Sequence, residues 1–240
     1  MLESGKNASS SEEAAIVDPR EYHPAVHVLS HPLSQHYLSV LRNKETHCQE
    51  FRRCTNILAS LLCVEATQDL TLENREIETP LCTCLAPHLS SKVALIPVLR
   101  AGLGMVEGCV SMLAENTQIL HLLLQRDHET LQPKTYYQKL GDHCTATTLY
   151  ILDPMIGTGG TMSAAIEHVK QWRDAFLPTG DHAPRISALS LLACPDGLKR
   201  LAEDHPEVPI YTCAVDPVLN EVGYIVPGLG DAGDRIMNTL

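Results

Sequence analysis

Apolar positions along this chain follow two periods. Leu33, Tyr37, Leu38 and Leu41 recur at helical spacing, and Phe51, Cys54, Ile57, Leu58, Leu61 and Leu62 form one apolar stripe with Glu50, Arg52 and Arg53 between them. Three other segments are continuously aliphatic: Val93–Leu99, Thr148–Leu152 and Ile186–Ala193. Runs without alternation suit strands buried on both faces. Each run ends in turn residues: Arg100-Ala101-Gly102-Leu103-Gly104, then Asp153 to Thr161, then Cys194-Pro195-Asp196-Gly197. Helical spacing resumes after the second run at Met162, Ala165, Ile166, Val169 and Trp172, and after the third at Leu198, Leu201 and Ala202. Strands alternating with helices predict an α/β domain with a central parallel sheet flanked by helices. Residues 1–24 are rich in Ser, Glu and Ala without periodicity, which predicts a disordered tail before a domain over 25–240. The polar stretch 126–143, with Tyr136 and Tyr137 at its middle, reads as a functional loop or hairpin, and 177–185 as a loop.

Composition changes this picture little. With one Trp and two Phe in 240 residues, the core must be mostly aliphatic. A formal net charge of −11 argues against non-specific nucleic-acid binding, although a basic pocket can persist inside an acidic surface. No apolar run approaches the roughly twenty residues of a membrane-spanning helix. Residues 1–15 lack the apolar core of a secretory signal, so the nine cysteines are expected to be reduced thiols of a cytoplasmic protein. Cys82 and Cys84 form a close pair without the second pair of a zinc ribbon, and none of the twelve histidines falls at a metal-ligand spacing.

Chemistry concentrates in three glycine-rich turns. Asp153-Pro154-Met155-Ile156-Gly157-Thr158-Gly159-Gly160-Thr161 follows a buried strand and opens a helix, the place where open α/β sheets bind ligands. Glycine lets the backbone approach a ligand, and the unpaired N–H groups of a helix start favour phosphate. No Lys follows the glycines, so a nucleoside-triphosphate loop is disfavoured. Asp153, at the strand end, would repel a phosphate but can accept hydrogen bonds from ribose hydroxyls. The plainer reading is a flexible helix start. Residues 228–233 match GxGxxG, yet only seven residues follow Gly233, too few for the helix and the acid about 20 positions on that a dinucleotide site needs. A loop whose backbone reads a flat heterocycle is what remains. Arg100 and Arg126 each end an aliphatic run; either holds an anion in its fork of donors or makes a surface ion pair.

Seven segments carry a resemblance to a known family: His31–Leu33, Glu50–Arg53, Val64–Leu70, Pro97–Met105, Tyr136–Leu140, Ile151–Thr161 and Asp216–Arg235. In this order they are similar to uracil phosphoribosyltransferase over about residues 26–240, the segment YIVPGLGDAGD being the most specific. The resemblance implies a type I phosphoribosyltransferase fold with a small hood subdomain. It implies conversion of uracil and 5-phosphoribosyl 1-pyrophosphate to UMP and pyrophosphate, with magnesium carried by the pyrophosphate, in a homodimer or homotetramer. By motif, Arg100, Arg126, Asp153, Pro154, Met155, Ile156, Gly157, Thr158, Gly159, Gly160, Thr161 and Asp231 correspond to the phosphoribosyl pyrophosphate site. Tyr224, Ile225, Gly230, Asp231 and Ala232 correspond to the uracil site. Asp153, Arg126 and Asp231 are the expected catalytic residues, and 126–143 the expected water-excluding flap.

The sequence departs from the family pattern at Val64, where a Tyr is expected, and at Gly157, where bacterial members carry Ala. Residues 71–92 match weakly. Two other readings use the same fold: a catalytically silent binder of uracil or UMP, and a pyrimidine-responsive RNA-binding regulator. The joint presence of Arg100, Arg126, the 153–161 loop and Asp231 favours catalysis over the first. The net charge of −11 counts against the second.

Overall fold

The computed structural model describes residues 18–114, 116–126, 133–141 and 144–239, with backbone alone at 125–126 and 133–139. After a 3-10 turn at Pro19–Glu21 comes strand β1 (Val26–Val28), then helices α1 (Pro32–Arg42) and α2 (Cys48–Ala66). A hairpin of β2 (Leu72–Glu78) and β3 (Thr83–Leu89) follows. The first aliphatic run is β4 (Val93–Leu99), leading to α3 (Leu103–Val110), β5 (Gln118–Ile119), β6 (His121–Arg126) and β7 (Pro133–Lys139). The second is β8 (Thr148–Leu152), which passes through β9 (Met155–Ile156) into α4 (Gly160–Phe176). The third divides into β10 (Arg185–Ser190) and β11 (Leu192–Ala193) before α5 (Pro195–Asp204). β12 (Ile210–Thr212), β13 (Val218–Leu219), β14 (Ile225–Val226) and α6 (Ala232–Met237) complete the order.

The main sheet runs β1-β12-β10-β8-β4-β6-β7, with β5 beside β4, and all its pairs are parallel except β6–β7. Its two faces bury separate cores. Ala94, Ile96 and Val98 of β4 and Leu149 and Ile151 of β8 pack under α4 and α5. Val93, Leu95, Tyr150 and Leu152, the alternate residues of the same strands, pack under α1, α2, α3 and α6. This two-sided burial is why these runs are apolar throughout. The α4 stripe Met162, Ala165, Ile166, Val169 and Trp172 is wholly buried, as its spacing predicts. In α2, Phe51, Cys54, Leu58 and Leu62 are fully buried, whereas Leu33 of α1 is exposed at the first helical turn.

Three expectations need adjustment. Residues 1–17 of the expected tail lie outside the described residues, but 18–24 form an ordered turn capped by Asp18, with His23 buried. The third aliphatic run is not one strand: the N–H groups of Leu191 and Leu192 both turn to the carbonyl of Pro154, which takes β11 out of the main sheet to pair with β9. The β2–β3 hairpin was not anticipated from residues 71–92. The 126–143 stretch is in part a hairpin, β6 pairing with β7 from His121↔Lys139 to Arg126↔Pro133, while 127–132 and 142–143 lie outside the described residues.

Candidate active site

Beyond the carboxyl ends of β4 and β8, one cavity of about 470 Å³ opens between two loops. The first is Asp153–Thr161. Its base is anchored: Pro154 and Ile156 give their carbonyls to the N–H groups of Leu191 (3.0 Å), Leu192 (3.1 Å) and Cys194 (2.9 Å). Its crest turns at Gly159, where φ is +75° and a side chain is strained; a Cβ there would also lie 2.7 Å from the carbonyl oxygen of Gly197. Among the described residues, no acceptor meets the backbone N–H groups from Gly157 through Met162. This is a row of orphan donors at the positive end of a 17-residue helix, which suits a phosphate. Thr158 and Thr161 add hydroxyls to the cavity wall.

Asp153 sits at the foot of this loop, in the cavity wall. Burial pushes its carboxyl up to about 7, opposed by the N–H of Met155. A partner cation or a set of hydroxyl donors would therefore be needed to hold it ionised near neutrality. Across the cavity, Arg100 directly follows β4, its guanidinium 3.3 Å from Asp234 and more than half exposed. Arg100 thus makes an exposed ion pair and also borders the cavity. The Leu99–Arg100 and Val226–Pro227 peptide bonds are cis.

The second loop runs from β13 to α6. β13 and β14 pair through Leu219↔Ile225, and the Asn220 side chain accepts the N–H groups of Val222 (3.1 Å) and Tyr224 (2.8 Å) to close their turn. Ile225 is buried at the cavity floor, with Tyr224 beside it. Gly230 (φ +69°), Asp231 and Ala232 face the cavity. Asp231 caps α6 by accepting the N–H of Asp234 at 2.9 Å. Arg235 secures the far side of the loop, donating to the carbonyls of Leu229 (2.9 Å), Asn43 (2.7 Å) and Leu41, with its guanidinium 4.2 Å from the Phe51 ring centre.

Of the residues singled out from the sequence, the cavity brings together Arg100, Asp153, Met155–Thr161, Tyr224, Ile225 and Gly230–Ala232. Pro154 does not line it; this residue is buried beneath the loop, where its carbonyl serves β11. Arg126 ends β6, and its side chain lies outside the described residues. Gly197, Asn220 and Arg235 shape the loops but had no assigned part. Gly197 stood in a turn already noticed, and nothing in its local sequence says that it meets the 153–161 loop.

Two carboxylates, Asp153 and Asp231, face the cavity. Among the described residues no group of three His, Cys, Asp or Glu could hold a metal ion. Magnesium binds through one or two carboxylates together with substrate phosphates. Asp153 and Asp231 are a donor pair that fits an ion arriving with a polyphosphate. No helix among the described residues is long and apolar enough to cross a membrane.

Residues 28–239 match the family model described as uracil phosphoribosyltransferase. The chain is 46% identical over 216 residues to a uracil phosphoribosyltransferase of Chlamydia muridarum, covering 90% of this chain and 68% of that one. It is 43% identical over 214 residues to that of a Roseiflexus species, covering 89% and 98%. A solved structure of a protein from Aquifex aeolicus superposes with a TM-score of 0.78 at 34% identity, over 88% of this chain and 97% of the other.

Proposed function

This chain belongs to the uracil phosphoribosyltransferase family and is a phosphoribosyltransferase; from that premise we propose how its cavity converts uracil and 5-phosphoribosyl 1-pyrophosphate to UMP and pyrophosphate. The observation that carries the reading is the row of free N–H groups from Gly157 to Met162, set beside Asp153 and opposite a main-chain loop. The N–H row takes the 5′-phosphate, and Asp153 accepts from the ribose hydroxyls. Those hydrogen bonds favour the ionised carboxylate, against the burial that raises it to about 7.

As the bond from C1′ to the pyrophosphate oxygen breaks, the ribose becomes cationic and the leaving group gains negative charge. Asp153 favours the first. Arg100 is exposed enough to turn from Asp234 to the second, with Arg126 as its proposed companion. Magnesium, when it arrives with the pyrophosphate, would supply further neutralisation of that charge. Uracil N1 then bonds to C1′ as the C1′–O bond breaks, and the N1 proton leaves with the departing pyrophosphate. Uracil presents acceptor, donor and acceptor along one edge, and the backbone groups of Ile225, Gly230 and Ala232 supply the complement. Cytosine, with an amine in place of one oxygen, would leave these main-chain groups mismatched. Asp231 lies where the two substrates meet. The β6–β7 hairpin, whose residue Leu124 borders the cavity, is the proposed cover against water.

The reading extends to a cytoplasmic homo-oligomer. The β2–β3 hairpin supports a second copy as partner: Leu72, Leu81 and Leu85 are 61%, 95% and 69% exposed, and a lone hairpin gains little stability in water. The decisive assay incubates purified protein with labelled uracil, 5-phosphoribosyl 1-pyrophosphate and magnesium and looks for UMP. Turnover only with a base other than uracil would overturn the substrate, and no turnover with any base would overturn catalysis.

A further inference from the structure

We infer that Arg42 and Asp216 form a latch that positions the base-reading loop against the phosphate loop. Neither residue borders the cavity. Arg42 is the last residue of α1, and its two terminal nitrogens lie 2.6 and 2.7 Å from the two oxygens of Asp216. This paired geometry is the strong form of a charge-assisted contact. The Asp216 side chain is only 7% exposed, so the pair is shielded from water on the carboxylate side.

Both partners converge on one residue. Asp216 Oδ2 accepts the N–H of Gly228 at 2.8 Å, and Arg42 Nη1 donates to the carbonyl of Gly228 at 3.2 Å. Gly228 has φ +61° and folds back so closely over Ile225 that a Cβ would strike the carbonyl oxygen of that residue. The latch therefore fixes the segment that leaves Ile225 and enters Gly230–Ala232. At its other end the N–H of Asp216 donates to the carbonyl of Ala193 at 2.9 Å. Ala193 pairs with Ile156 in the phosphate loop. A continuous path of hydrogen bonds and chain thus runs from Ile156 through Ala193, Asp216 and Gly228 to Ile225. It sets the distance between the two half-sites, and with it the approach of N1 to C1′.

The inference rests on the site reading above and refines it by adding two positioning residues. The test compares Arg42→Met, Arg42→Lys and Asp216→Asn with the wild-type protein below the onset of unfolding, varying each substrate separately. Loss of the latch is expected to raise KM for uracil and lower kcat by about tenfold each, as a sub-ångström to 1 Å misplacement does, while KM for 5-phosphoribosyl 1-pyrophosphate stays within about twofold. Arg42→Lys keeps the charge without the fork and falls between wild type and Arg42→Met. A lowered melting temperature with unchanged KM for uracil and unchanged kcat would reduce the pair to a structural brace. A parallel rise of both KM values would show general loosening; either result overturns the latch. Should Arg42→Met prove insoluble, the other two variants carry the comparison. Wild type that forms no UMP in the same assay overturns the site reading beneath it, whereas active wild type with indistinguishable variants overturns the latch alone.

Discussion

Gly197→Ala sets helix propensity against packing. Gly197 is the third residue of α5. Alanine is preferred to glycine inside a helix by about 1 kcal/mol, so propensity alone predicts a more stable protein. The surroundings oppose this. A Cβ at Gly197 would lie 2.8 Å from Ile156 Cγ2, 3.0 Å from the Ile156 carbonyl oxygen, and closer still to that of Gly157. Two of these three atoms are main chain of the phosphate loop, which cannot turn aside like the end of a flexible side chain. That backbone is also pinned by the 2.9 Å bond from Cys194 N–H to the Ile156 carbonyl.

Relief requires the loop or α5 to move by roughly half an ångström to 1 Å, and inserting a methyl into such a contact costs about 1–3 kcal/mol. Packing therefore outweighs propensity. For a chain of this length, a net loss of about 1 kcal/mol lowers the melting temperature by roughly 2–4 °C. Catalysis should suffer more, because a misplacement of about 1 Å can cost on the order of a hundredfold in rate. Initial rates with each substrate varied in turn should show KM for 5-phosphoribosyl 1-pyrophosphate raised at least about tenfold, with KM for uracil within about twofold. The opposite selectivity is expected at Arg42 and Asp216. A Gly197→Ala protein with a raised melting temperature and unchanged KM for the phosphoribosyl substrate would refute the reasoning.

Asp153→Asn should change stability with pH in a defined direction. Desolvation pushes the Asp153 carboxyl up to about 7 from an ordinary value of 3.8, so its contribution is greatest below 3.8 and is lost as pH rises through 7. The variant should therefore melt above wild type at pH 8 and converge on it only as pH falls toward 3.8; a pH-independent difference would contradict this. Asp231→Ala should lose most activity yet fold, with a capping loss of about 1 kcal/mol. Asp231→Asn should lose activity while keeping the cap, and an active Asn variant would refute a catalytic part for the Asp231 carboxylate. Arg235→Met strips donors from three carbonyls and a cation from the face of Phe51. Denaturant titration should show a loss of about 3 kcal/mol, and less than about 1 kcal/mol would show that water replaces those donors.

The fold could be read from the chain where burial is two-sided or strongly periodic. β4, β8 and α4 declare themselves because each apolar position has one core to enter. The β2–β3 hairpin does not, since most of its residues are exposed on both faces and burial imposes no alternation there. Ile186–Ala193 looked like a single strand because β11 stays fully buried after it leaves the sheet. Hydrophobicity records that burial but not the change of partner from β8 to β9, which depends on where the Pro154 carbonyl points.

The two half-sites differ in the same way. The phosphate half depends on a local sequence of strand end, glycine turn and helix start, whose free donors follow from helix geometry alone. The base half, on the reading proposed above, depends on main-chain groups, which every residue type carries, so its chemistry cannot be deduced from the identities of Ile225, Gly230 and Ala232. What makes those groups selective is their fixed placement. That placement comes from residues distant in sequence: Arg42 and Gly228 are 186 positions apart, and Arg235 reaches Leu41 across 194. The glycines of this loop supply the turn, and the charged residues behind it hold the turn still. Changes behind the loop should accordingly alter recognition of uracil while every residue that touches the base remains in place.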